Sequence, residues 1–239
     1  MKRGLLIIAL VIGFIGAKAQ NVVYDPNAEV RSVAKFNGID VSGTVTLYLS
    51  QSNETAVAIS AGEEKYNNKI KTEVKNGVLH ISVDGGMWNG FSWANRKLKA
   101  YVSTPDISTL HVSGASYVII SGSLKTENLS LQVSGASELK GGLEVKNLNM
   151  GISGASVARL TGTAESANVE ASGAIRINGY DLKVDNAKFD ISGASHITIS
   201  VNKELSANAS GGSTIQYKGD AVAKSMNANG GATIQRKSL

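Results

Sequence analysis

The sequence has no cysteine, only two prolines and few aromatic residues, which make up 5% of its 239 residues. Without cysteine the chain can form no disulfide bond and cannot be lipidated at a cysteine, so we expect packing and hydrogen bonds alone to hold it together. The shortage of aromatic side chains argues against an ordinary globular core. The 26 glycines direct attention to internal repeats instead.

The first 19 residues have the pattern of a secretory signal peptide. Lys2 and Arg3 precede an apolar run over residues 5–15, and an A-x-A cleavage site ends at Ala19. The apolar run is too short to span a bilayer comfortably, which argues against the alternative of an N-terminal membrane anchor. We therefore predict that the mature chain is exported to the periplasm, the cell surface or the medium, and that it is not an integral membrane protein.

The predicted mature chain is nearly neutral. The signal peptide contains three basic residues and no acid, so the formal net charge of +5 falls to +2 when residues 1–19 are removed. So small an excess leaves no electrostatic footprint for nucleic acid or for an anionic membrane. Of the 239 residues, 220 remain, which suffices for one large domain or two small ones.

A five-residue motif recurs through the second half of the chain. "VSGAS" begins at Val112 and Val133, "ISGAS" begins at Ile152 and Ile191, and the variant "ASGAI" begins at Ala171. The glycines of successive motifs are separated by 21, 19, 19, 20, 18 and 19 residues. These glycines are Gly114, Gly135, Gly154, Gly173, Gly193, Gly211 and Gly230.

The residues around each glycine alternate between apolar and polar. Apolar residues stand four and two positions before each glycine and four positions after it. This pattern predicts two short strands joined by a turn, each with one buried face, whereas a helix would need a different period. A propeller blade needs about 40 residues, twice the repeat length found here. The sequence therefore predicts an all-β fold, a single-stranded right-handed parallel β-helix (solenoid) of about 20 residues per coil.

In such a solenoid the motif forms a corner, where glycine can adopt a positive φ. Equivalent residues of successive coils stack at the strand spacing of about 4.8 Å. We expect the first serines of the motifs to form a polar ladder whose hydroxyls bond one coil to the next, rather than a row of ligand-binding hydroxyls. These residues are Ser113, Ser134, Ser153, Ser172, Ser192, Ser210 and, in the last coil, Asn229.

The N-terminal part contains one more copy of the motif, in "GIDVSGTVTLYL" around Gly43. The residues between this copy and the regular repeats include Asn76-Gly77 between two alternating segments, which predicts a hairpin with a two-residue turn. Residues 97–103 read as a further strand. This part is therefore expected to be β-rich but irregular.

No stretch rich in proline, glycine or serine separates the irregular part from the regular repeats. We therefore predict that residues 20–239 form one domain. Within it, an irregular N-terminal portion over residues 31–110 is continuous with regular coils over residues 111–239.

Three stretches together resemble a known family. They are "FNGIDVSG" at Phe36–Gly43, the hairpin "TEVKNGVLHI" and the repeated "VSGAS". They resemble the putative auto-transporter adhesin, head GIN domain family, over about residues 31–216. The resemblance implies a β-helical fold and an exported, adhesin-like protein of the kind found in Bacteroidetes-like bacteria. It brings no catalytic residues with it.

The sequence offers no recognisable motif for catalysis, a metal or a cofactor. The three histidines, His80, His111 and His196, lack metal-ligand spacing, and we expect His80 and His111 to be outward-facing strand residues. Calcium-binding, P-loop and serine-hydrolase motifs are absent. The acids of the repeats share no offset from the corner glycines. They are Glu138, Glu144, Glu165, Asp181, Asp185, Asp190 and Asp220.

These observations favour a non-enzymatic binding protein without a cofactor, which does not bind nucleic acid. Two alternatives remain open. One is a polysaccharide-active enzyme, for which carboxylates on adjacent coils could supply the necessary pair. The other is a purely structural component of the cell envelope.

One segment departs from the repeat pattern, "GGMWNGFSWANRK" at residues 85–97. It contains Trp88, Phe91 and Trp93. Exposed, these side chains could stack on the sugar rings of a glycan or anchor a cell-surface protein. Folded inward, they would cap the apolar end of the first coil, which must be covered. We favour the cap and retain the three residues as a candidate binding site.

Replacement of Trp88 and Trp93 together by Ala distinguishes these two roles. We expect the double variant to lose several kcal/mol of stability, because deletion of a buried tryptophan costs about 3–5 kcal/mol. The measurement is the midpoint of thermal unfolding, with iodide quenching of tryptophan fluorescence as the control for exposure. A binding site would instead leave the midpoint nearly unchanged and abolish binding on a glycan array. Unchanged melting together with unchanged binding would contradict both roles.

Overall fold

The computed structural model describes residues 25–83 and 97–237. The predicted signal peptide and the candidate residues Trp88, Phe91 and Trp93 lie outside the described residues. The predictions made for them therefore stay predictions.

The described chain is almost entirely β-structure, with one short 3₁₀ helix at Glu64–Lys69. The predicted all-β class is confirmed. The strands are β1 (Glu29–Arg31), β2 (Gly38–Val41), β3 (Thr46–Gln51), β4 (Ala56–Ser60), β5 (Ile70–Lys75), β6 (Val78–Val83), β7 (Lys99–Thr104), β8 (Thr109–Val112), β9 (Tyr117–Val133), β10 (Glu138–Gly154), β11 (Val157–Gly173), β12 (Arg176–Ile191), β13 (His196–Ala209), β14 (Thr214–Lys218), β15 (Val222–Ala228) and β16 (Thr233–Arg236).

Strands β9 to β13 form the regular coils, and each pairs in parallel with the next. Leu139 pairs with Ala158, and Ala158 pairs with Ile177, so the register advances by one motif per coil. The inward side chains of equivalent residues therefore stack in columns and form one continuous core. This arrangement is the predicted parallel β-solenoid.

Each long strand is divided into three segments, which give the coil three faces. In β10, pairing with β9 skips Gly141 and Lys146, so the strand changes direction twice. We call the outer surface before the corner glycines, with β2, β8 and β15, the first face. The surface directly after the corner, with β3, β7, β14 and β16, is the second face. The segments between the two interruptions form the third face.

The corner glycines have the conformation that the motif predicts. Gly154 has a φ of +80°, a region that side chains resist. The corners also stack so closely that a Cβ on Gly154 would overlap the carbonyl oxygen of Gly135. That same oxygen accepts a hydrogen bond from the backbone N–H of Ala155 at 2.8 Å. Both backbone conformation and coil-to-coil hydrogen bonding therefore require glycine here.

The N-terminal strands add two coils to the regular stack. Strands β2 and β3, which flank Gly43, pair in parallel with β8 and β9 on one side and with β6 and β7 on the other. The predicted hairpin is confirmed, since β5 and β6 are antiparallel and Asn76 and Gly77 have φ values of +50° and +75°. The strand expected at residues 97–103 is β7. Antiparallel β4 and β1 extend the second face beyond β7.

The 3₁₀ helix closes the N-terminal end of the core, because it connects β4 on the second face to β5 on the first face. Its Asn67 is buried, and the side chain forms hydrogen bonds with two other segments. The Asn67 Oδ1 accepts a hydrogen bond from the Ala61 N–H, and Nδ2 donates one to the Asn27 carbonyl, both at 2.8 Å. No pattern in the sequence predicted this cap.

Asp25 ties the segment before β1 to the sheet. Its buried carboxylate accepts hydrogen bonds from Ser60 Oγ (2.9 Å), Lys99 Nζ (2.9 Å) and Tyr101 OH (2.8 Å). Burial alone would raise the pKa of Asp25, but these hydrogen bonds outweigh it and lower the pKa. Burial, together with the hydrogen bond to Asp25, raises the pKa of Tyr101.

The last coil is less well covered than the others. Val222 is 61% exposed, and Met226 and Ile234 are only partly buried, whereas their neighbours in the preceding coil, Ala207 and Ile215, are fully buried. In the described part of the chain, no helix is long and apolar enough to cross a membrane.

Substitution of a corner glycine by alanine tests the stacking of the corners. We expect Gly154→Ala to cost at least about 2 kcal/mol of stability, because the new Cβ demands an unfavourable φ and overlaps Gly135. Gly212→Ala is the control, since a Cβ there meets no atom within 4 Å. The measurement is urea unfolding of both variants. Equal stabilities of the two variants would contradict the close corner contact.

Candidate functional site

The serine ladder exists, but it is formed by the second serine of each motif and not by the first. Ser116, Ser137, Ser156, Ser195 and Ser213 are at most 2% exposed and point into the corner. The first serines, which we expected to bond the coils together, lie at the surface or half-buried. Of these, Ser192 donates a hydrogen bond to the Ala171 carbonyl of the preceding coil, at 3.5 Å.

Four of these serines lie within hydrogen-bond distance of two carbonyls, whereas Ser137 donates to the Gly114 carbonyl and accepts from the Ser116 N–H. Ser156 Oγ lies 3.3 Å from the Gly135 carbonyl of the preceding coil and 2.9 Å from the Ser153 carbonyl of its own coil. Ser213 does the same with Gly193 and Ser210. Buried hydroxyls that are satisfied by the backbone stabilise the stack and are not available to a ligand. The ladder is therefore structural, as expected, although the serines that form it are different.

A shallow groove of about 520 Å³ runs along the third face, where charged side chains from four successive coils meet. It brings together three of the acids that the sequence seemed to scatter, and it adds Glu127 and a set of lysines that sequence reasoning missed. The charged lining residues are Glu127, Glu144, Lys146, Glu165, Lys183 and Asp185.

Three of the four acids of the groove are paired with lysines of neighbouring coils. Lys125 contacts Glu144 at 2.8 Å, and Lys146 contacts Glu127. The hydrogen bond and positive charge of Lys146 lower the pKa of Glu127, and the hydrogen bond and negative charge of Glu127 raise the pKa of Lys146. These shifts favour the charged forms of both side chains. A lowered pKa is the opposite of what a general acid in a glycosidase needs.

An ion pair of the same kind joins β12 and β13, three coils further along. Lys203 Nζ lies 2.8 Å from Asp185 Oδ2, which lowers the pKa of Asp185 and raises the pKa of Lys203. Glu127, Lys146 and Lys203 are exposed and Asp185 is half-buried, so each ion pair is open to solvent and contributes little to stability. Asp181 is exposed, and the Asp185 side chain is 33% exposed.

The histidines lie where the sequence placed them. His80 and His111 face outward on the first face, on either side of Asp40 in the column of paired residues. His80 Nδ1 and Asp40 Oδ2 are 3.1 Å apart. Among the described residues, no group of three or more His, Cys, Asp or Glu side chains could hold a metal ion.

The second face differs from the other two because aromatic and basic residues are prominent among its outward side chains. Near its N-terminal end Tyr48 and Tyr101 stack with their ring centroids 5.1 Å apart. Tyr48 is followed across the strands by Ile119, and Ile119 by Lys140. Further basic side chains continue in the next coils. The sequence did not reveal this surface, because its residues come from six separate repeats and occupy two alternating columns.

The candidate aromatic residues Trp88, Phe91 and Trp93 come between β6 and β7 in the sequence, outside the described residues. Strand β6 lies on the first face and β7 on the second. At the end of β6, Val83 comes close to the Gly43 corner, where a Cβ on Gly43 would lie 3.2 Å from Val83 Cγ2.

The chain matches, over residues 35–221, the family described as "Putative auto-transporter adhesin, head GIN domain". Its structure is similar to the crystal structure of a putative adhesin from Bacteroides fragilis, with 26% sequence identity, a TM-score of 0.81, and 88% of this chain and 96% of that chain covered. No curated protein matches the chain.

Two further crystal structures are similar in fold alone. A putative adhesin from Parabacteroides merdae has 18% identity and a TM-score of 0.68, with 88% of this chain and 95% of that chain covered. A putative lipid binding protein from Parabacteroides distasonis has 21% identity and a TM-score of 0.65, with 90% of this chain and 98% of that chain covered.

Alanine substitutions within one motif test which serine bonds the coils. We expect Ser156→Ala to cost about 1 kcal/mol, because it removes a buried hydroxyl that donates to two carbonyls. In a chain of this size that is a fall of roughly 2–4 °C in Tm. Ser153→Ala, three residues away, should change the Tm by less than about 1 °C. A larger effect at Ser153 than at Ser156 would overturn the assignment.

Proposed function

The chain belongs to the family of putative auto-transporter adhesin head GIN domains, and we propose that it is a non-enzymatic protein of the cell envelope that acts by adhesin-like binding. Its ligand is a glycan or a cell-surface protein. The predicted signal peptide exports it, residues 1–19 are removed, and the mature chain works in the periplasm, at the cell surface or in the medium, without a lipid anchor.

The observation that supports this proposal best is that inward side chains hold the coils together while outward side chains remain free to contact a ligand. Inward columns and corner serines hold the stack, while three flat, largely polar outer faces are left to solvent. Flat sheets of regularly spaced side chains suit the recognition of an extended ligand. The similarity to the putative adhesin from Bacteroides fragilis supports the same function.

A polysaccharide-active enzyme is the second candidate, and the groove of the third face is the observation that favours it. Four acids and two lysines line this groove. If the protein is an enzyme, Glu165 is the best candidate for the catalytic acid, because Glu127, Glu144 and Asp185 each contact a lysine. The downward pKa shifts of Glu127 and Asp185 disfavour this candidate.

One experiment separates the two candidates. The mature protein is applied to an array of bacterial and host glycans, and each glycan that it binds is then incubated with it and assayed for released reducing ends. We expect binding without release, and we expect Glu165→Gln to bind as the unaltered protein does. Release of products that is abolished by Glu165→Gln would establish the enzyme instead. Neither binding nor release, on glycans or on cells, would favour a purely structural component.

A further inference from the structure

We infer that the second face is a binding site for acidic polysaccharides, and that a row of basic side chains on it recognises their carboxylate or sulfate groups. This inference rests on the proposed binding function and names the ligand class and the surface. The site consists of Lys140, Arg159, Arg176 and His196, which we call the basic stripe.

The four residues of the basic stripe lie side by side on four successive coils. Lys140 pairs directly with Arg159, and Arg176 pairs directly with His196. Arg176 also pairs with Val157, two residues before Arg159, so the two halves of the stripe meet on a diagonal. Adjacent strands are about 4.8 Å apart, and the stripe therefore extends over roughly 14 Å. An extended anionic chain could contact all four side chains at once.

The positive charge of the stripe is largely uncompensated. Lys140, Arg159 and Arg176 are exposed. Arg159 contacts Glu138, but within residues 25–83 and 97–237 neither Lys140 nor Arg176 forms an ion pair. The stripe thus presents three permanent positive charges against one carboxylate. Unpaired guanidinium and ammonium groups on a fixed sheet are ready to bind carboxylates or sulfates.

The other two faces lack such an excess of positive charge. On the third face Lys125, Lys146 and Lys203 each contact an acid of a neighbouring coil. On the first face Glu170 and Asp190 are direct neighbours in one column. The small net charge of the mature chain therefore conceals a separation of charge between its faces, and the second face is the one that attracts anions.

The surroundings of the stripe favour a sugar chain over other anions. Asn178 pairs with Arg159 across β11 and β12, and Gln216 lies two coils further along the same column, so amide groups are available to sugar hydroxyls. At the other end of the stripe lie Tyr48 and Tyr117, whose rings could contact a pyranose. A polysaccharide can use charges, amides and rings on one flat surface.

An anionic membrane is a poorer fit to this surface. Polybasic segments that bind membranes usually contain about four to eight Lys or Arg residues, and the stripe has three. Interfacial binding also needs a broad apolar surface that can enter the acyl boundary. Around the stripe, the polar Glu138, Asn178 and Thr214 interrupt the apolar Ile119 and Val157, so these described residues form no broad apolar surface.

The experiment measures binding of the mature protein to polygalacturonate, to its fully methyl-esterified form and to dextran sulfate, by calorimetry. The test variant carries Lys140→Gln, Arg159→Gln and Arg176→Gln. The control variant carries Lys35→Gln, Lys75→Gln and Lys188→Gln, which removes the same charge from exposed positions off the second face. The control is matched in pairing too, because Lys75 contacts Glu73 as Arg159 contacts Glu138. Thermal unfolding checks that both variants fold.

We expect the Kd for the two acidic polymers to rise at least tenfold in the test variant and less than twofold in the control. Binding to both polymers should weaken with added salt, because exposed charges are screened. Methyl esterification of polygalacturonate should abolish binding to that polymer. An equal rise in the Kd of both variants would show that the polymers are attracted by positive charge in general, and it would overturn the proposed site. Binding to phosphatidylglycerol vesicles but not to the acidic polymers would overturn the ligand class.

Two outcomes distinguish this inference from the proposed function on which it rests. If the protein binds only neutral glycans or a cell-surface protein, and the test variant binds them as well as the control does, the adhesin-like function stands and the acidic polysaccharide site falls. If the unaltered protein binds no glycan, no protein and no cell, both fall.

Discussion

The contact between the backbones of stacked corner glycines is the constraint on which the rest of this protein depends. From Gly43 to Gly193, each corner carbonyl accepts a hydrogen bond from the next coil and leaves no room for a side chain above it. This contact fixes where every coil begins, and therefore which residues turn inward. A second serine completes the corner by donating to the same carbonyl, and Val45 and Ile175 occupy the serine position as buried apolar residues in two coils. The size and polarity of the side chains at the corners are therefore closely restricted.

The side chains of the outer faces are less restricted in size and polarity, and they make different interactions on each face. The third face ties successive coils together through lysine–carboxylate pairs. The first face carries amide ladders, in which Asn147 donates to Asn128 at 2.9 Å and Asn168 to Asn149 at 3.2 Å. The second face does least for the stack, since its basic side chains have few partners. A surface whose side chains are not needed for folding is the one most available for recognition.

Sequence reasoning succeeded where a local rule determines the structure. Period-two alternation and glycine spacing predicted the solenoid, the Gly43 coil and the hairpin at Asn76-Gly77, because each depends on a few neighbouring residues. It failed where contacts join distant residues. The groove acids follow their corner glycines at different distances, since coil length varies, so no common offset revealed them. The bond from Asn67 to Asn27, and the bonds that Asp25 accepts from Ser60, Lys99 and Tyr101, join residues 35 or more positions apart. The two serines of the motif are distinguished only by which one points inward.

The two ends of the stack are unequal, and this gives the molecule a mechanical direction. At one end a 3₁₀ helix, antiparallel strands and the Asp25 tether lock the core, whereas at the other the coil of β15 and β16 rests on a single neighbour. Loss of that coil would break contacts on one side only and leave the remaining coils intact. Under tension along the solenoid axis the molecule would therefore peel from its C-terminal coil, one turn at a time. An attached protein would yield gradually, and the locked end would be the last to open.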